Sequence, residues 1–283
     1  MNDPTTHRLS GRRILITGAA RGIGAALARR LHERGARLAL AGLEPDLLAS
    51  VAADCGDAPW RHCDIADRTG VDAAIDDLAA ALGGLDVIVA NAGIAAQWPL
   101  LDGDPEVLET TLRVNVLGTY HTLRAAGRHI AHPGGYALPV ASLAAAVHAP
   151  LLGAYSASKA AVEALGDTLR IELRHTGAKV GVAYFAELDT EMTRRGFDTQ
   201  AAAVMGGREG TFTGVTPLRA GVDALERGIA RRARRVYAPR WVGPVLVAPR
   251  VAQRVVEKAV RSRLPTALEV ARGERPPFTT EQP

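Results

Sequence analysis

Short apolar runs alternate with amphipathic stretches over the first two-thirds of the chain, and this alternation predicts strand and helix in turn. "RILIT" (13–17), "ARLALA" (36–41), "APWRHCD" (58–64), "LDVIVANAG" (85–93), "GGYALPV" (134–140) and "KVGVAYF" (179–185) have the profile of short, buried, parallel strands. Between them, "IGAALARRLHERG" (23–35), "EPDLLASVAAD" (44–54), "DRTGVDAAIDDLAAAL" (67–82), a long stretch over about 104–130 and the segment opened by Tyr155 read as helices. The repeated β-α-β order predicts an α/β fold: a doubly wound parallel sheet with helices on both faces, in a single domain over 10–240.

After about residue 186 the rhythm loosens. The small, glycine-rich run "AAAVMGGREGTFTG" (201–214), within a loop over about 187–216, suits a lid over a site. A helix (216–233) and a last strand, "RRVYAP" (234–239), follow. Residues 241–283 form a basic C-terminal extension. Its "VAQRVVEKAVRSRL" (251–264) puts Val251, Val255, Val256, Ala259 and Val260 on one stripe, with Arg254, Lys258 and Arg261 outside it. Residues after about 270 are rich in proline and charge, and fraying is expected there.

Composition narrows the setting. With 47% hydrophobic and 23% charged residues the chain is an ordinary globular one, not a disordered one. Two cysteines, Cys55 and Cys63, make no disulfide framework and lack metal-ligand spacing, so no metal is expected and a cytoplasmic setting is. The polar start "MNDPTTHRLSG" shows no signal-peptide pattern, and no apolar run reaches membrane-spanning length. Net charge is only +4, yet 227–263 holds eleven basic residues and a single acid, Glu257. Such a block fits either a solvated surface or peripheral contact with an anionic membrane. Nucleic acid is not expected, since only Tyr237 and Trp241 lie near these charges and no recognition motif is present.

Two patterns carry chemistry. In "ITGAARGIG" (16–24), Gly18, Gly22, Ile23 and Gly24 lie between the first strand and the first helix, where bare amides and the helix dipole hold a pyrophosphate. The G-x-x-x-G-x-G spacing is not that of the commonest dinucleotide fingerprint, and no P-loop lysine follows. In "YSASKAAVEAL" (155–165), Tyr155 and Lys159 are four apart and share a helix face, with Ser156, Ala157 and Ser158 leaving room for close approach. A free phenol is a poor base at neutral pH, so an adjacent ammonium would favour the phenolate and make Tyr155 a general acid/base. A lysine merely solvated beside a half-buried tyrosine is the other reading of that pair.

Taken together, "TGAARGIG" (17–24), "CDIAD" (63–67), "NAG" (91–93), Asn115 in "LRVNVLG", Ser142 in "PVASLAA" and "YSASK" (155–159) resemble the short-chain dehydrogenase/reductase family over about residues 10–240. The resemblance implies a Rossmann-type fold and an NAD(P)-dependent oxidoreductase that interconverts a secondary alcohol and a ketone, or an aldehyde and its alcohol. It implies a homodimer or homotetramer built on the two long helices. It implies that Tyr155 exchanges the proton, Lys159 binds the nicotinamide ribose, Ser142 holds the reacting oxygen and Asn115 positions a water in a proton relay. Asp64 and Ile65 would meet the adenine, Asn91, Ala92 and Gly93 the nucleotide cleft, and Thr190 the carboxamide. The competing roles are a turn for Asp64, a scaffold for Asn91, a helix cap for Thr190 and a structural helix kink for Asn115.

Two positions depart from the family pattern. Phe185 and Ala186 stand where the family usually has Pro-Gly, which puts the loop below the nicotinamide in question, and Phe185 is expected in the core. At the end of the second strand Gly42 replaces the acid of NAD-preferring members, while Glu44 could reach a ribose and Arg21 a 2′-phosphate. NAD and NADP both stay open. The substrate is expected to be apolar, steroid- or lipid-like. A dinucleotide-binding regulator without turnover, or a membrane-associated one, is the alternative.

Overall fold

A computed structural model describes residues 4–197, 199–205, 213–274 and 278–279. Its strands are β1 (Arg13–Thr17), β2 (Arg37–Gly42), β3 (Trp60–His62), β4 (Val87–Ala90), β5 (Tyr136–Pro139), β6 (Lys179–Val180), β7 (Val182–Phe185) and β8 (Arg235–Ala238). The main sheet runs β3-β2-β1-β4-β5-β6, all parallel. The order reverses between β1 and β4, so their carboxyl ends diverge and leave a crevice, the usual ligand position in such sheets.

Leu15 and Ile88 face one layer of helices, and Ile14, Ile16, Val87 and Val89 face the other. Helices Gly22–Glu33, Pro45–Asp54 and Leu218–Arg231 cover the second face. Helices Arg68–Leu82 and Thr119–Ile130 cover the first, joined by Leu165 and Leu169 of Gly153–Glu172. Local chemistry sets the helix ends: Asp67 accepts from Thr69 N at 3.0 Å to cap the helix Arg68–Leu82, and Gly83 closes it in the left-handed region.

The structure differs from the sequence expectation at two places. "KVGVAYF", read as one strand, is interrupted at Gly181 into β6, which pairs with β5, and β7, which pairs with β8 while Ala183 still bridges Val140 just past β5 and accepts from Ala141 N at 2.8 Å. Tyr136 crosses this point to donate from its hydroxyl to Ala233 O at 2.7 Å, and a Cβ on Gly181 would clash with both groups. The stretch 104–130 is not one α-helix: Pro105–Leu112 and Thr119–Ile130 flank a π-helical turn, Arg113–Gly118, with Asn115 inside it. At the C-terminal end the helix Leu264–Gly273 buries Ala267 and Ala271, and Thr279 is only 2% exposed; residues 275–277 and 280–283 of the tail where fraying is expected lie outside the described residues. Of the proposed lid, residues 206–212 lie outside the described residues. Among the described residues no helix is long and apolar enough to cross a membrane.

Candidate active site

The glycine turn is tight because its neighbours leave no space for side chains. Gly18 has φ +63°, and a Cβ there would lie 2.7 Å from Ala92 Cα. A Cβ on Gly24 would clash with Gly18 O and lie 2.8 Å from Asn91 Nδ2. Gly22 differs: φ is +56°, nothing lies within 4 Å of its missing Cβ, and it lines the cavity. Its bare backbone leaves a cradle open to a pyrophosphate at the start of the helix Gly22–Glu33. Asn91 serves this turn, donating from Nδ2 to Thr17 O and Gly18 O at 3.1 Å each. Thr17, which the sequence did not single out, accepts from Asn91 N and Ala92 N at 3.2 and 3.3 Å.

One cavity of about 350 Å³ runs from Gly18, Arg21, Gly22, Ile23 and Gly42 past Asp64, Ile65 and Ala92 to Ser142, Tyr155 and Lys159. Arg21 and Glu44, read from sequence as rival selectors of the coenzyme ribose, pair with each other at 2.6 Å. Arg21 also reaches Glu191 Oε2 at 3.1 Å, a partner 170 residues away that local pattern could not reveal. Asp64 accepts from Ala66 N at 2.8 Å, an Asx turn, and still lines the cavity. Ile65 packs on Gly118, where any side chain would collide with it. Thr190 accepts from Thr193 N at 3.3 Å as a helix cap, and also lines the cavity.

At the other end, Ser142 accepts from Ala144 N at 3.1 Å and donates to Phe185 O at 3.3 Å. Phe185 itself is buried in the core beside Leu188 and Ala238, and it supplies this carbonyl to the site. Lys159 Nζ lies 5.6 Å from the Tyr155 ring centroid and donates to Val140 O at 2.9 Å. Burial pushes the Tyr155 phenol up, and the hydrogen bond with Ser142 pulls it the other way. Burial pushes Lys159 down to about 8. Burial is thus the largest influence on both groups in this pocket.

Asn115 sits fully buried in the π turn. Its Oδ1 accepts from Ile94 N at 2.8 Å, and its Nδ2 donates to Ile94 O at 2.9 Å and to Ser158 Oγ at 3.0 Å. Both amide protons are thus committed to protein, which ties the bulged helix to the loop after β4. Ser158 in turn donates to Tyr155 O at 2.7 Å, so the small residues between Tyr155 and Lys159 carry a contact as well as space. A Cβ on Gly93 would lie 3.0 Å from Asn115 Oδ1 and 3.3 Å from Lys159 Nζ, so glycine keeps these two groups close.

The buried Lys159 predicts a pH effect on stability. Its folded pKa, about 8, lies below the unfolded value near 10.4, so below about pH 8 the fold carries the full cost of burying the charge. Between about pH 8 and 10.4 the folded chain loses this proton first, and stability rises with pH. Lys159→Met is expected to raise Tm at pH 7, by at most about 3 kcal/mol of stability, and the gain should shrink by pH 10. Thermal melts at the two pH values check this, and an equal gain at both would contradict it.

Among the described residues no cluster fit to hold a metal occurs. Burial pushes the cavity thiol of Cys63 up to about 11, so it stays protonated at neutral pH. A parallel sheet with a glycine turn at its switch point, and a tyrosine, lysine and serine at the far end of one cleft, define a dinucleotide-binding oxidoreductase fold. Residues 12–201 match the short chain dehydrogenase family model, and the chain belongs to that family of NAD(P)-dependent oxidoreductases acting on CH–OH and C=O groups. It is 35% identical over 196 residues to D-threitol dehydrogenase of Mycolicibacterium smegmatis, covering 68% of this chain and 75% of that one. A short chain dehydrogenase of Burkholderia cenocepacia in complex with NADP superposes with a TM-score of 0.75 at 25% identity, over 89% of this chain and 98% of that one. One of Mycobacterium paratuberculosis bound to NAD gives 0.71 at 26% identity, over 81% and 97%.

Proposed function

We propose that this enzyme interconverts an apolar secondary alcohol and its ketone, with Tyr155 as general acid/base and NAD as the preferred coenzyme. The observation that carries the reading is the single cavity joining the glycine cradle to Ser142, Tyr155 and Lys159. Gly18, Gly22, Ile23 and Gly24 would hold the pyrophosphate, Asp64 and Ile65 the adenine, and Lys159 and Thr190 the nicotinamide side. The bound coenzyme supplies the hydride acceptor or donor. Ser142, able both to donate and to accept, orients the reacting oxygen toward Tyr155. Tyr155 takes the hydroxyl proton in oxidation and returns it in reduction. Lys159 holds positive charge beneath the ring that develops phenolate character, and Asn115 and Ser158 fix the helix turn carrying both groups.

Glu44 supports NAD. Its carboxylate stands at the end of the cavity beside Gly42 and pairs with Arg21, which is also engaged by Glu191. A ribose 2′-hydroxyl can donate to such a carboxylate, whereas a 2′-phosphate would meet its negative charge and have to displace it from Arg21. Fluorescence titration is expected to give a Kd for NADH at least tenfold below that for NADPH, and Glu44→Gln should narrow the gap. Equal affinities, or tighter NADPH, would overturn the coenzyme assignment.

The D-threitol of the relative is a polyol, and the cavity near Tyr155 is lined by Ala144, Val147, Leu152 and Met192. Hydroxyls buried against such a surface would lose their water without gaining partners, which favours an apolar substrate instead.

A further inference from the structure

The C-terminal segment lies past residue 201, where the family match ends, and its position in the fold is not that of a loose basic tail. We infer that residues 249–274, with Thr279, form the substrate-facing wall of the active site, with Val256 and Val260 selecting a bulky, uncharged, apolar alcohol or ketone. The inference rests on the oxidoreductase reading above for the word substrate, and on contacts of its own for the wall.

Those contacts reach both rims of the cleft. On the rim after Ser142, the side chain of Gln253 takes both backbone groups of His148, accepting from its N at 2.7 Å and donating to its O at 3.2 Å. On the rim after β4, Thr279 N donates to Ala95 O at 3.2 Å, and Thr279 Oγ1 accepts from Ala95 N at 3.0 Å. Ala95 is two residues from Gly93 and next to Ile94, which Asn115 holds. Between the two rims, Glu274 accepts from Gln200 N at 2.6 Å and Ala201 N at 3.3 Å, docking the helix Leu264–Gly273 on the helix Gln200–Val204. Arg272 pairs with Asp102 at 2.9 Å.

The helix Pro249–Val260 therefore has two apolar edges with different fates. Val251 and Val255 are 65% and 63% exposed, beside exposed Arg250, Arg254 and Lys258. Val256 and Val260 line the cavity, and Val260 is buried against Met205 and Ala267. The stripe that the sequence placed on one face is split, and half of it lines the same cleft as Ser142 and Tyr155. Branched, stiff side chains fixed by the three sets of hydrogen bonds discriminate by size and polarity, because a molecule that leaves polar groups facing them forfeits its hydration.

The test uses the full chain, with 4-tert-butylcyclohexanone, 2-butanone and erythrulose as probes, in steady-state NADH oxidation and in ligand-observed NMR binding. Wild type is expected to show kcat/KM at least tenfold higher for 4-tert-butylcyclohexanone than for the other two. Val256→Trp should cut that value tenfold or more and lower the ratio of bulky to small ketone, with NADH affinity within about twofold of wild type. Val256→Ala, which removes bulk instead of adding it, should leave the bulky ketone at least as good and weaken 2-butanone, so a folding defect in one variant does not decide the matter. An unchanged ratio of bulky to small ketone in both variants overturns the wall, as does preference for erythrulose. Failure of the oxidoreductase reading would appear separately, as absent NADH binding. In that event NMR binding of 4-tert-butylcyclohexanone that weakens in Val256→Trp still supports the wall, and no binding overturns it.

Discussion

Tyr155→Phe is expected to bind NADH within about twofold of wild type and to lose turnover by ~10²–10⁴-fold, the usual contribution of a positioned acid/base. The substitution deletes one oxygen and keeps the ring that packs beside Lys159. The groups around it are held by other bonds: Lys159 by Val140 O, Ser142 by Ala144 N and Phe185 O, and the helix turn by Asn115 and Ser158. What disappears is the hydroxyl bonded to Ser142, and with it the proton acceptor for the reacting alcohol. Because burial holds the Tyr155 phenol above its ordinary value, wild-type alcohol oxidation should rise toward alkaline pH as phenolate forms, whereas residual turnover in the variant should lack that rise. Rate profiles of both proteins with pH check the assignment, and a variant that keeps both rate and profile would contradict it.

The second large effect is expected at Gly24. An added methyl would meet the backbone oxygen of Gly18 and the amide of Asn91, neither of which can swing away without opening the turn. Gly24→Ala should therefore cost about 1–3 kcal/mol of stability, the range for overpacking, and weaken NADH binding at least tenfold. Gly22→Ala is the informative contrast. Nothing crowds its Cβ, so its stability cost is the left-handed backbone alone, roughly 1–2 kcal/mol, yet its methyl would enter the cradle and weaken coenzyme just as much. Denaturant unfolding paired with NADH titration separates the two effects. If Gly22→Ala bound NADH normally, the pyrophosphate would not lie on this turn.

These expectations differ in how visible their basis is in the sequence. The strand, glycine turn and helix over 13–33 are local, so periodicity and glycine positions reveal them, and the Tyr155–Lys159 pair follows from helical spacing. The need for glycine at 181 is not local, because Tyr136 and the carbonyl of Ala233, both distant in the chain, fill the space a Cβ would take. Nor is the clasp of Arg21 by Glu44 and Glu191, where two plausible coenzyme ligands turn out to be partners of each other. A helix kink at Asn115 is legible from its residue type, but its partners are not, since Ile94 and Ser158 come from two other segments. The C-terminal helix shows the limit most clearly. Its valines announce an amphipathic helix, but only the anchors at His148 and Ala95 determine that Val256 and Val260 face the cleft while Val251 and Val255 face solvent.

Hydride transfer with Tyr155 as acid/base is tested most directly by following the hydride itself. NADH deuterated at the transferring position of nicotinamide C4 is incubated with the protein and a panel of apolar ketones, and the alcohols formed are read by mass spectrometry. Wild type is expected to place one deuterium on the carbinol carbon, and Tyr155→Phe to lower the yield at least a hundredfold. Absence of labelled alcohol from wild type, or equal labelling by the two proteins, would contradict it.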